Sequence, residues 1–181
     1  MPTGARLALL AALLTVGAGV ARAQVTPPDY LVLDTAKTST MQRELQEAAD
    51  RGYRLVPGQG SWLLSAIMEK PAEEPPPIDY LLLATSKSGT MQQEMNEAAS
   101  KGYRFASVLG IGPEVVICME RRRAVTARTH EQKLLATTKI GTMEKELLAE
   151  VANGYRFVGQ TVFVNWMGGS EYVAILERPV P

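Results

Sequence analysis

Three stretches of this chain are written on one plan. Residues 29–56, DYLVLDTAKTSTMQRELQEAADRGYRLV, align without a gap with 79–106, DYLLLATSKSGTMQQEMNEAASKGYRFA, at an offset of 50. They align again with 131–158, EQKLLATTKIGTMEKELLAEVANGYRFV, at a further 52. Each copy closes on an apolar run and a charged pair: SAIMEK, EVVICMER and EYVAILER. Self-similarity at a fixed period marks a fold made of units that complete their core by stacking on their neighbours. The boundaries read as modules at 29–70, 79–121 and 132–178, joined by a proline-rich linker at 71–78 and a basic one at 122–131.

Each copy parses as strand, helix, strand, strand. YLVLDT, YLLLAT and KLLATT are short, rich in aliphatic residues and bounded by polar loops, which is the pattern of a strand. Met41, Leu45, Ala48 and Ala49 then recur at the spacing of one helical face, as do Met91, Met95, Ala98 and Ala99, and Met143, Leu147 and Val151. Ser39 and Gln42 form a candidate capping box. Gly52, Gly102 and Gly154 stand where a helix stops in a left-handed cap. Tyr53, Tyr103 and Tyr155, with Arg54, Arg104 and Arg156, then open the second strand, the Tyr at the helix–sheet junction and the Arg on the opposite face. Loops such as VPGQGS and LGIGPE lead to the third strand, which its continuous apolar run VVICM places in the middle of the sheet. The fold class is therefore α+β: three tandem β-α-β-β repeats, each a small sheet covered by one helix.

Such units must touch. About 40 residues with no disulfide or metal bury too little to stand alone. The runs YLLLA and VVICM do not alternate with polar residues, so both faces of the sheet have to be covered. The helix covers one face and a neighbouring copy the other. PAEEPPPI would be a stiff spacer of about 25 Å at 3.1 Å per residue. If two modules pair and the third is left over, its open face offers a site for a homodimer.

Residues 1–23 carry Arg6, the uncharged run LALLAALLTVGAGV and the small-x-small ARA before Gln24, the order of a secretory signal peptide cleaved near Ala23. The expected location is the periplasm or the cell exterior, and no later run is long enough to span a membrane. Without Arg6 and Arg22, 17 basic side chains face 19 acidic ones, which gives no global attraction to nucleic acid. Cys118 is alone, in an apolar strand, and reads as a buried thiol. The single His130 excludes a multi-histidine metal site.

Four groups of residues are candidates for more than structure. The loops AKTST, SKSGT and TKIGT each place a lysine before a helix; Lys37, Lys87 and Lys139, with Thr40, Thr90 and Thr142, can hold an anion at the helix start or simply cap it. Glu44, Glu94 and Glu146 recur in what read as first helical turns, where they favour the helix dipole. Arg121, Arg122, Arg123, Arg128 and His130 form a basic cluster, read as a solvated linker ahead of an anionic contact. Trp62, Trp166 and Met167 lie near hairpin tips, as a partner surface or as bulk folded over the core.

On the stretch TMEKELLAEVANGYRFV (142–158) the units resemble a bacterial family of short β-α-β-β domains of unknown function, with a TMEKELNELGAEGWELV-like core. The resemblance covers all three copies and departs at Tyr-Arg, where the family often carries Trp-Glu. It implies neither an enzymatic activity nor a ligand. The expectation is a non-enzymatic exported protein that binds or scaffolds through its module surfaces, its partner an unknown protein or envelope component. The alternatives are a binder of small anions at the lysine loops and an enzyme of unknown type. No catalytic set, cofactor or metal is expected.

Overall fold

Each helix of this protein is gripped on one side by its own sheet, and the first two are gripped on the other side by the sheet that follows. The computed structural model describes residues 29–58, 60–164 and 169–180. Its elements run β1 (Asp29–Asp34), α1 (Thr38–Asp50), β2 (Arg54–Leu55), β3 (Ser65–Lys70), then β4 (Ile78–Thr85), α2 (Ser88–Ser100), β5 (Arg104–Ile111), β6 (Val115–Arg122), and β7 (His130–Thr137), α3 (Ile140–Ala152), β8 (Arg156–Val164), β9 (Ser170–Pro179). The three antiparallel sheets are ordered β1-β3-β2, β4-β6-β5 and β7-β9-β8, so the last strand of each block is the central one, as its apolar run implies. This α+β architecture is consistent with three repeated units.

The helical periodicity describes the burial in the first two blocks. Met41 and Leu45 of α1, and Met91 and Met95 of α2, are fully buried. One core joins α1, Leu33, Ala66 and Met68 of the first sheet to Ile78, Tyr80 and Cys118 of the second. The next joins α2, Leu83, Ile117 and Met119 to Val173 and Ile175 of the third sheet. Successive residues of β6, Ile117 and Cys118, thus serve different cores, which is why VVICM carries no polar alternation.

The helices also cover strand edges. Gln42 donates from Nε2 to the carbonyl of Tyr80 (2.8 Å) and accepts at Oε1 from the amide of Leu82 (2.7 Å). One turn on, Gln46 donates to the carbonyl of Ile78 (3.3 Å) and accepts from the amide of Tyr80 (3.1 Å). Gln92 of α2 does the same to β7, donating to Gln132 O (3.0 Å) and accepting from Leu134 N (2.6 Å). A primary amide has one donor end and one acceptor end, the pair a neighbouring strand would offer, so these parts of the β4 and β7 edges are covered. These glutamines also correct the capping box: Lys37 is the cap residue of α1, no side chain caps it, and Gln42 is turned to β4.

The first block departs from the other two. Its β2 has only two residues, and the chain beyond it leaves its own sheet to lie along β5. Ile111 N donates to Ser61 O (2.7 Å), and the Ser107 hydroxyl bonds both backbone groups of Gly58, at 3.1 and 3.0 Å. A Cβ at Gly60 would stand 2.8 Å from Gly110 N, so only glycine permits this approach.

Replacing Gln92 by Ala strips the β7 edge of both partners while leaving its backbone inside the interface. The expected loss is about 1–3 kcal/mol in urea unfolding, whereas exposed Gln93→Ala changes stability by less than about 0.5 kcal/mol. Equal effects of the two changes would remove the edge interaction from the account.

Candidate functional site

The glycine-tyrosine-arginine corners are structural joints. Gly52, Gly102 and Gly154 have φ of +91°, +87° and +85°, the left-handed cap that an L side chain resists. The tyrosine rings lie under the basic residue that ends the central strand: Lys70 over Tyr53 (5.8 Å), Arg121 over Tyr103 (4.7 Å) and Arg178 over Tyr155 (4.6 Å). Tyr53 donates to Asp29 (2.6 Å) and Tyr155 to Glu131 (3.2 Å), which clamps the first strand to the helix exit. The arginines take other partners. Arg104 pairs with Glu120 (2.9 Å) and Arg156 with the buried Glu177, each opposite in register, while Arg54 donates to the carbonyls of Tyr53 (2.6 Å) and Pro76.

The other sequence candidates are dispersed. Lys37, Lys87 and Lys139 are the cap residues of three separate helices, each exposed and in extended backbone. Thr40 and Thr142 close those turns on the lysine carbonyls (3.1 and 2.9 Å), and Thr90 holds the matching place in α2. No acidic residue lies in any first turn: Glu44, Glu94 and Glu146 sit one turn further in, because the helices start at least three residues earlier than a dipole role needs. Trp62 is 75% exposed, on the segment that crosses to β5. Trp166 and Met167 lie outside the described residues.

The basic cluster is spoken for. Arg121 and Arg122 end β6, and His130 opens β7. Arg121 pairs with Asp79 (3.2 Å), and Arg123 with Asp79 (2.7 Å) and with Asp50 of the first block. Arg128 reaches Asn96 O (3.4 Å), and the His130 ring meets the Thr129 hydroxyl (2.9 Å). Arg54, Arg104, Arg121 and Arg122 line one hollow of about 420 Å³, but Glu120 and Asp79 already answer two of the four charges there. Cys118 is fully buried, and burial pushes its thiol well above the ordinary range, away from reactivity.

The third block is the one whose interior has changed chemistry. Where the first two have Leu31 and Leu81 on the opening strand, the third has Lys133; where they have Ala48 and Ala98 on the helix, it has Glu150. The two new side chains meet each other, Lys133 Nζ to Glu150 Oε1 at 2.6 Å, and the lysine contact holds the Glu150 carboxyl below its ordinary value. An aliphatic contact between strand and helix has been exchanged for an ion pair, which needs water at its rim. Among the described residues α3 fully buries none of its side chains.

Beneath α3 lies an apolar cleft of about 540 Å³. Ile140, Met143 and Leu147 line it from the helix, Phe157 and Val162 from β8, and Tyr172, Val173 and Ala174 from β9, while Ile111 of the second block closes one side. Met143 and Leu147 are the counterparts of the fully buried Met91 and Met95, yet both are partly exposed. Two polar residues interrupt the wall, Gln160 and Thr161. Thr161 is buried, and its hydroxyl has no hydrogen-bond partner among the described residues. Size, apolar lining and sparse polar atoms are those of a small-molecule pocket. The paired Leu→Lys and Ala→Glu exchange is visible in the internal alignment, so the sequence did hold a signal for this site; a reading drawn to the recurring residues passes over it.

Comparison with models of protein families finds no match for the chain, and comparison with curated proteins and with solved structures finds none either. Among the described residues no helix is long and apolar enough to cross a membrane.

Restoring the aliphatic pair with Lys133→Leu and Glu150→Ala seats α3 on its sheet as α1 and α2 are seated. The expected result is a higher melting temperature and a smaller cleft. The carboxyls of Glu150 and Glu131 lie below their ordinary 4.5, each lowered first by its basic partner, Lys133 and Arg178. Their stabilisation is complete above pH 4.5 and is lost as the pH falls through the lower folded-state values. Melting curves across acid pH should therefore fall less steeply for the double variant than for the parent.

Proposed function

We propose that this chain is an exported, non-enzymatic binding protein of the periplasm or cell exterior, and that the cleft beneath α3 takes an apolar ligand bearing a single polar group. The observation that carries the reading is the apolar wall beneath α3, in the block that also exchanges a Leu and an Ala for the Lys133–Glu150 pair. A block built for stability alone would keep the Leu and Ala of its neighbours. Gln160, exposed at the wall, supplies a hydrogen bond to fix the ligand's orientation. Export rests on the order of charge, apolar run and small residues in 1–23, and kinship with the short β-α-β-β family rests on 142–158.

The non-enzymatic reading is in keeping with the lining, where, among the described residues, Thr161 and Tyr172 carry the hydroxyls and no histidine or carboxylate is present. The small-anion alternative is less well supported, since Lys37, Lys87 and Lys139 each belong to a different helix and are exposed.

The test is titration of the chain with a neutral apolar dye, followed by displacement with long-chain alcohols and fatty acids. Saturable binding at one site, displaced by both, is expected, and Leu147→Lys should abolish it. Gln160→Leu should weaken the alcohol by roughly tenfold, the worth of one hydrogen bond of about 1–1.5 kcal/mol, and leave the dye unaffected. Dye bound equally well by the Leu147→Lys variant would sink the reading.

A further inference from the structure

The interface that joins the blocks is used twice inside the chain, and each of its halves is left over once. The half that a helix presents is free on α3, where Leu148 and Val151, at the positions of Gln46 and Ala49, are 62% and 49% exposed. The half that a sheet presents is free on the first block. Val32 and Ile67, paired in register, are 67% and 51% exposed. Their counterparts in the second block, Leu82 and Cys118, are in the core that α1 covers. β1 is moreover an edge strand, and no side-chain hydrogen bond among the described residues reaches the backbone of Tyr30 or Val32 on it. In arrays of stacked units, terminal units must differ from internal ones or the stacking continues into the next molecule.

One residue makes that difference. At the place of Gln42 and Gln92, which grip the edges of β4 and β7, α3 carries Glu144. One carboxylate oxygen can accept the amide of Val32, as Gln42 accepts that of Leu82. The other has no proton to give to the carbonyl of Tyr30, so two acceptors would face each other and a charge would lose its water. We propose that the outer face of α3 and the outer side of β1 are complementary halves of an interface between copies of this chain, held apart by the charge on Glu144. The occupant is a second copy because the same surface chemistry already binds within one. The union is head-to-tail, with α3 of one copy on β1 of the next. It uses different surfaces on the two partners, so it does not close at two.

The experiment is light scattering and sedimentation of the full chain at neutral pH, over a range of concentrations. The parent should remain a single copy. Glu144→Gln, an exposed and nearly isosteric change, should strengthen association by about tenfold or more, with a mass that keeps rising past two copies. Adding Val32→Lys to Glu144→Gln should return the chain to a single copy, since a lysine then occupies the seat of Leu82. A Glu144→Gln variant that stays single, that stops at two copies, or that associates equally well with Val32→Lys would overturn the proposal.

Discussion

A side-chain amide on a helix, bonded to both backbone groups of a strand edge, holds this molecule together as one body. Gln42 and Gln92 each fill the role of the missing neighbouring strand, one donor and one acceptor at the spacing the edge presents. Burial supplies the force of attachment, since Met41, Leu45, Met91 and Met95 are removed from water entirely. Burial has no direction, however, and two greasy surfaces can slide over each other. The amide sets the register of one block on the next and removes the edge that would otherwise recruit foreign strands.

The arrangement has a consequence for the last block. A helix clamped between two sheets can be narrow in its chemistry, with Ala48 and Ala98 close against the strand. A helix with only one sheet behind it has room to change. Lys133 and Glu150 stand there as an ion pair, at the positions of a leucine and an alanine in the other two blocks. The cleft beneath α3 is lined by the last block, with Ile111 of the second closing one side.

Much of the fold was legible from the chain. The helix faces, the glycine stops and the central third strand all rest on local rules of period, φ and apolar continuity, and they stand in the structure at the expected residues. The helix starts were read less well. Ser39 and Gln42 have the spacing of a capping box, but the cap falls on Lys37 because Gln42 has a better use at β4. The short β2, and the passage of Ser61 onto β5, have no local signature at all. The cleft was written in the chain as two exchanges 17 residues apart, Lys133 and Glu150, and each alone looks like an ordinary surface substitution. Only their contact shows that they lie inside.

What the sequence by itself determined is therefore the content of each block: the helix faces, the glycine stops and the Tyr corners, set by interactions between residues near in the chain. The tertiary structure alone decided which surfaces meet, since Gln42 and Tyr80, 38 residues apart, have no reason to be partners until the sheet edge is in place. The same is true of the cleft, whose lining comes from α3, β8, β9 and Ile111 of the second block. Local rules act within a turn of helix or a span of strand, whereas edges, open faces and voids are properties of the assembled body.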